Sequence, residues 1–164
     1  MSIIKVEYSG MNLDLNNRTA IQHQNKNDWW FLDPNTHAEM VFTPNVFCLI
    51  APKGDGKNCL RPTKLEQRAS IILSPIDNKR LTQQWRFVDV AEYHRGRVEG
   101  IPDDCEDWYY IINREGRKGT RPHWSMGVKD ELTEAGTPVV LWQVKKPNVR
   151  CPGNHWWNPD PEAR

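Results

Sequence analysis

Gly136-Thr137-Pro138-Val139-Val140-Leu141-Trp142-Gln143, then a connection, then Asn154-His155-Trp156-Trp157, is the stretch whose pattern decides the fold. The first part reads as a strand: a short run of β-branched and aromatic residues bounded by Gly and Pro. The second part reads as another strand that opens on tryptophans. Weaker copies of the pattern occur twice earlier in the chain.

Searching outward for repeats gives three segments. The first holds Ile3-Ile4-Lys5-Val6, a turn at Ser9-Gly10, Met11 to Leu15, Thr19 to Gln24, and Asn27-Asp28-Trp29-Trp30-Phe31. The second holds Phe47-Cys48-Leu49-Ile50, a turn at Gly54-Asp55-Gly56, Cys59-Leu60-Arg61, Ser70 to Ser74, and Thr82 to Phe87. The third holds Tyr109 to Asn113, a turn at Glu115-Gly116-Arg117, His123-Trp124-Ser125, and the opening stretch. Each has the same order: apolar strand, Gly turn, short strand, apolar strand, tryptophan strand. Insertions fall in Asp89 to Asp107 and Lys145 to Gly153, rich in Gly, Pro and charge. The best helix candidates, Lys64 to Ser70 and Val128 to Ala135, lack an apolar stripe and predict a turn or two at most. Twelve short strands in three sets predict a closed all-β barrel with pseudo-threefold symmetry, because closure removes exposed edges.

The bulk numbers agree with one domain over residues 1–164, with repeats at about 1–40, 41–92 and 104–160. Twenty-two basic and 21 acidic residues leave a net charge of +1, which gives no electrostatic case for nucleic acid or anionic membranes. No apolar run reaches the ~20 residues of a membrane span. The N-terminus is too soon charged for a secretion signal, so a cytoplasmic protein with free thiols is expected. Cys48 and Cys59 could face each other across one hairpin. Eight tryptophans are the unusual count.

These segments resemble the ricin B-type β-trefoil family, whose repeats end in a Gln-x-Trp signature. Segment three resembles the repeat best, through "YYIINREGRKG", "GTPVVLWQ" and "NHWW". Segment two carries the literal Gln83-Gln84-Trp85. Segments one and three are read with Asp28 and His155 in the Gln position. The resemblance implies a β-trefoil of three four-strand repeats, with Trp30, Trp85 and Trp157 in the core. By strand alternation Trp29 and Trp156 then point the other way, each either packing under a loop or offering a ligand platform.

The resemblance also implies sugar pockets, up to one per repeat. In each, a carboxylate accepts from two hydroxyls, an amide fixes a third, and an aromatic face covers the ring. Segment one has Asp14 as the carboxylate and Asn27 as the amide. Its aromatic position falls on Gln24, with His23 beside it and Trp29 as a substitute. Segment two has Arg61, Ser74 and Thr82 there and is read as inactive. Segment three has Trp142 and Asn154, with Ser125 where the acid belongs and Asp130 five residues on. The expected carbohydrate-binding residues are therefore Asp14, His23, Gln24, Asn27, Trp29, Trp142 and Asn154.

Lys53-Gly54-Asp55-Gly56-Lys57-Asn58 lacks the earlier Gly and the Ser/Thr of a phosphate loop and reads as a hairpin turn. The acidic Asp103-Asp104-Cys105-Glu106-Asp107 reads as a solvated loop. The five histidines show no zinc spacing, and no nucleophile–base or acid–base set converges. The expectation is a binding protein without enzymatic activity, catalytic residues, metal or cofactor. Its partner is a glycan or glycoconjugate, and a homodimer would add multivalency. The alternative is a trefoil protease inhibitor acting through the two inserted loops.

Overall fold

The computed structural model describes residues 3–94, 107–115, 123–144 and 153–159. Most of both inserted loops, with Cys105 and Cys151, lies outside them. The strands are β1 (Lys5–Val6), β2 (Asn12–Asn16), β3 (Thr19–His23), β4 (Trp29–Leu32), β5 (Glu39–Met40), β6 (Leu49–Pro52) and β7 (Asn58–Pro62). They continue with β8 (Ile71–Pro75), β9 (Trp85–Asp89), β10 (Tyr109–Asn113), β11 (Trp124–Val128), β12 (Val139–Gln143) and β13 (Trp157–Asn158). Setting aside β5, a short partner of β4, they fall into three sets of four: β1–β4, β6–β9 and β10–β13.

The first and last strands of each set build the barrel wall. Ladders join β1 to β13, β13 to β10, β10 to β9 and β4 to β6, and a Cys48–Trp85 bridge joins the start of β6 to β9. The middle strands form hairpins, β2–β3, β7–β8 and β11–β12. The second strands of these hairpins meet in a triangle through Thr19–Ile72, Ser70–Val140 and Ile21–Pro138. A nearly closed wall capped by three hairpins about a pseudo-threefold axis is the β-trefoil that the sequence predicts.

Three indoles tie cap to wall. Trp29, Trp85 and Trp157 are buried, and each donates its Nε1–H across 3.0 Å to a backbone carbonyl: Leu13, Leu60 and Met126. The acceptors all lie on the first strand of a hairpin, β2, β7 and β11. Around the indoles pack Ile4, Val6, Ile50, Ile71, Ile111 and Leu141, with Phe31 and Phe87 edge-on at 5.4 Å.

This corrects the sequence register in repeat one. The core tryptophan is Trp29, not Trp30. Trp30 is half-buried and packs on the outer side of the wall with Leu32, Leu49 and Ala51. A one-residue slip turns every side chain to the other face of a strand. The signature position of repeat one is thus Asn27, not Asp28, matching Gln83 and His155. Trp156 is buried as well, against Val90, Tyr110, Ile112 and Val144. Neither Trp29 nor Trp156 offers a ligand platform.

Among the described residues helix is scarce, but one turn falls where the sequence predicts a loop. A short α-helix (Val90–His94) leaves β9, with Asp89 Oδ1 accepting from the Glu92 N–H at 2.9 Å as its N-cap. The Lys53–Asn58 segment is the expected turn, closed by Asp55 Oδ1 accepting from the backbone N–H of Lys57 and Asn58 at 2.9 and 3.0 Å. Among the described residues no helix is long and apolar enough to cross a membrane.

Cys48 and Cys59 are free and buried in separate clusters. Burial pushes both thiols up to about 12. Native protein at pH 8 is therefore expected to leave both unmodified by a thiol reagent over minutes, with labelling appearing once it is unfolded in urea. The register makes a second prediction. Trp29→Phe, which leaves the Leu13 carbonyl unpaired and a void beside it, should cost about 2–4 kcal/mol in urea denaturation. Trp30→Phe should cost less than about 1 kcal/mol.

Candidate functional site

The bond from each core indole gives a common register for the three hairpins. Leu13, Leu60 and Met126 are equivalent, so the residues that follow them, Asp14, Arg61 and Gly127, share the acid position. Strand pairing sets their neighbours. Asp14 faces Ile21, Arg61 faces Ile72 and Gly127 faces Val140. Two pairs further along each ladder, on the same face, Asn12 faces His23, Cys59 faces Ser74 and Ser125 faces Trp142. Directly opposed residues share a face. The aromatic position is therefore His23, Ser74 and Trp142, each diagonal to its acid position.

Two expectations move with this register. In repeat one the aromatic position falls on His23, the last residue of β3, and not on Gln24, which lies beyond the strand. In repeat three the acid position falls on Gly127 and not Ser125, which is buried with its hydroxyl donating to the Trp142 carbonyl at 3.4 Å.

Repeat two shows that the diagonal is within side-chain reach. Arg61 Nε donates to Ser74 Oγ at 3.0 Å, and Arg61 Nη1 to the Pro62 carbonyl at 3.0 Å. Burial, then the neighbouring Arg80 charge, draws the Arg61 guanidinium below its ordinary value. Gln83 is fully buried and structural: its amide donates to the Pro75 carbonyl at 2.7 Å and accepts from the Asp77 N–H at 2.8 Å. This repeat offers a cation where a sugar site needs an acceptor.

Repeat three is filled by its own His155 and by Arg68 from repeat two. The His155 ring lies on Gly127, where an added Cβ would come within 2.5 Å of Nδ1. His155 also meets Trp142, with ring centroids 5.6 Å apart. Asn154 is buried, and its amide donates to the Val128 carbonyl at 2.9 Å, so it faces inward. Over Trp142 sits the Arg68 guanidinium, 5.6 Å from the ring centre, held by Asp130 at 2.9 Å. Asp130 thus pairs with arginine and does not stand in for the missing acid.

Repeat one remains open. Asp14 and His23 are half-exposed on one face, and Asn27 follows at the signature position, also half-exposed. Among the described residues nothing hydrogen-bonds the Asp14 carboxylate or the Asn27 amide. His23 Nδ1 accepts from the Asn25 N–H at 3.3 Å, so a neutral ring carries its proton on Nε2.

The difference between repeats one and three traces to a neighbouring hairpin. Arg68 donates its backbone N–H to the Leu141 carbonyl, beside Trp142. Gly136 donates in the same way to the Gln22 carbonyl, beside His23. Both sit in the left-handed region, with φ of 65° and 88°, as does the matching Asn17 at 57°. Where Arg68 lays a guanidinium over Trp142, Gly136 has no side chain, and even a Cβ there would meet nothing within 4 Å. Behind the site, the fully buried Gln22 anchors this hairpin: its amide donates to the Leu132 and Glu134 carbonyls at 3.0 and 2.8 Å and accepts from Ser9 Oγ at 2.7 Å. Sequence reasoning missed Gln22 and Gly136. A polar residue amid the apolar β3 run was the available signal.

No family model matches the chain, and no curated protein matches it in sequence. Solved structures do. The designed threefold-symmetric protein ThreeFoil matches with a TM-score of 0.66 and 17% identity, over 96% of this chain and 95% of that one. 1,3Gal43A, an exo-β-1,3-galactanase from Clostridium thermocellum, matches with a TM-score of 0.61 and 18% identity, over 96% of this chain. The match spans 29% of the galactanase chain. At these identities the likeness shows the fold: the protein is a β-trefoil.

Arg68→Gly should uncover Trp142. The expected readout is stronger photo-induced polarisation of its indole resonance in NMR. Stability should change by less than about 1 kcal/mol, since an exposed ion pair contributes little and glycine suits a left-handed position.

Proposed function

We propose that this β-trefoil is a non-enzymatic, ricin B-like carbohydrate-binding protein that binds a glycan on the outer face of repeat one. The observation that carries this reading is the diagonal pair Asp14 and His23, half-exposed on one face and left uncovered by Gly136. The carboxylate accepts from two vicinal hydroxyls, the bidentate geometry that neighbouring sugar hydroxyls offer. The Asn27 amide supplies a donor and an acceptor at the rim. The imidazole covers one apolar patch of the ring, over less area than a tryptophan would. A single shallow site of this kind gives weak affinity, which two or more copies would raise by avidity. The galactanase match is consistent with sugar recognition by this fold, although a shared fold does not carry a shared ligand.

Repeats two and three are not part of the proposed site, because Arg61 stands in the acid position of the second and Arg68 and His155 surround Trp142 in the third.

The test is a broad glycan array followed by titration of each hit with purified protein. Asp14→Ala should weaken binding at least ~10-fold, about 1.4 kcal/mol. Arg61→Ala and Trp142→Ala should change it less than about 2-fold. Silence across the array, or binding indifferent to Asp14→Ala, would reject the reading.

A further inference from the structure

Beside the repeat-one face a cleft of about 310 Å³ opens between the β1–β2 turn and the β3–β4 connection. Its polar lining is Lys5, Asn12, Gln24 and Lys26, over an apolar base that includes Ile3 and Gly10. The volume is at the lower end of the range for small-ligand sites, enough for one compact group.

Both walls are fixed by hydrogen bonds. On one side, Val6 N–H donates to the Met11 carbonyl at 2.9 Å and Gly10 N–H to the Val6 carbonyl at 3.0 Å. Gly10 has a φ of 71° and no heavy atom within 4 Å of where a Cβ would stand, so the turn leaves the cleft clear. On the other side, the Asn12 amide donates to the Gln24 and Asn25 carbonyls at 3.4 and 3.3 Å and holds the connection in place.

The cleft is continuous with the proposed sugar face. Asn12 lies directly across the ladder from His23, Gln24 follows His23, and Lys26 precedes Asn27. Among the described residues two lysines line it and no carboxylate does. Lys5 is half-buried on β1, and no carboxylate of the described residues lies within ion-pair distance of its ammonium. An ammonium that lines a cleft without a carboxylate beside it gains a charge-assisted hydrogen bond from an anion that enters the same cleft.

From these walls and this charge we infer that the cleft receives an anionic group, a carboxylate or a sulfate, carried by the sugar residue next to the one held at Asp14 and His23. The inference rests on the glycan-binding reading. It narrows the ligand to acidic oligosaccharides, with Asp14 holding the neutral hydroxyls and Lys5 and Lys26 the charge. The Gln24 amide, exposed at the lip, adds a neutral donor to the anion.

The experiment compares three oligosaccharides of one backbone by calorimetry: neutral, uronic-acid-bearing and sulfated. At least one acidic form should bind about 10-fold tighter than the neutral one, and the advantage should shrink in about 0.5 M NaCl. The form that gains identifies the anion. Lys5→Gln with Lys26→Gln should reduce the advantage to within about 2-fold and leave neutral binding intact. Asp14→Asn should weaken neutral and acidic forms alike. Equal affinity for all three, or a preference that survives the double lysine change, overturns the inference while leaving neutral sugar binding standing. If no oligosaccharide binds, the glycan reading fails, and the cleft is judged separately by NMR with glucuronate and with inorganic sulfate. Amide shifts confined to residues 3–5, 10–12 and 24–26 then uphold an anion site, and their absence removes it.

Discussion

Three buried indole N–H groups, each on a carbonyl of the neighbouring hairpin, hold this protein together. Trp29, Trp85 and Trp157 combine the two things a small β-barrel needs at one point. Each fills the space under the cap with a large apolar ring, and each satisfies a backbone carbonyl that would otherwise be buried unpaired. The bond also fixes how far each hairpin sits along the wall. Every side chain on the outer face inherits its position from that anchor, including Asp14, Arg61 and Gly127 in the acid position.

That dependence explains what could be read from the sequence and what could not. The fold was legible because short β-branched runs, glycine turns and terminal tryptophans recur three times in one order. The site was legible as a set of residues in repeat one, but not as a register. With two adjacent tryptophans, alternation alone cannot say which is buried. Trp30 in the core would put the signature at Asp28, and a third strand running to Gln24 rather than His23 would put the aromatic position one residue late. The indole bond to Leu13 resolves the choice in favour of Trp29, and with it places His23 diagonal to Asp14. In repeat three the weak turn chemistry around Trp124 and Ser125 hid a two-residue offset. Asn154 looked like a sugar-binding amide, yet it spends its donor on Val128, because residues just before a buried tryptophan strand are themselves buried.

What the repeats keep and what they lose follows a physical division. The barrel positions are held by packing, so they remain apolar in all three sets. The outer-face positions are free to change, and each repeat has changed differently: an arginine bound to serine in the second, a glycine under histidine in the third, a carboxylate in the first. The same freedom leaves the first repeat's face bordered by two lysines, so that a carboxylate acceptor and positive donors stand side by side.

The hairpin residue with left-handed backbone has a consequence for how such a protein changes over time. Asn17, Arg68 and Gly136 belong to one repeat by sequence, but each lies at the edge of the next repeat around the axis. The ownership is cyclic: first over second, second over third, third over first. A surface site here is therefore never encoded by one repeat alone. Duplicating a repeat copies its acid and aromatic positions but not the residue that will shade them, which comes from whatever module precedes it. A single substitution at that residue can close or reopen a neighbour's face while its own repeat stays unchanged, so the three faces can diverge even when their strands are inherited together.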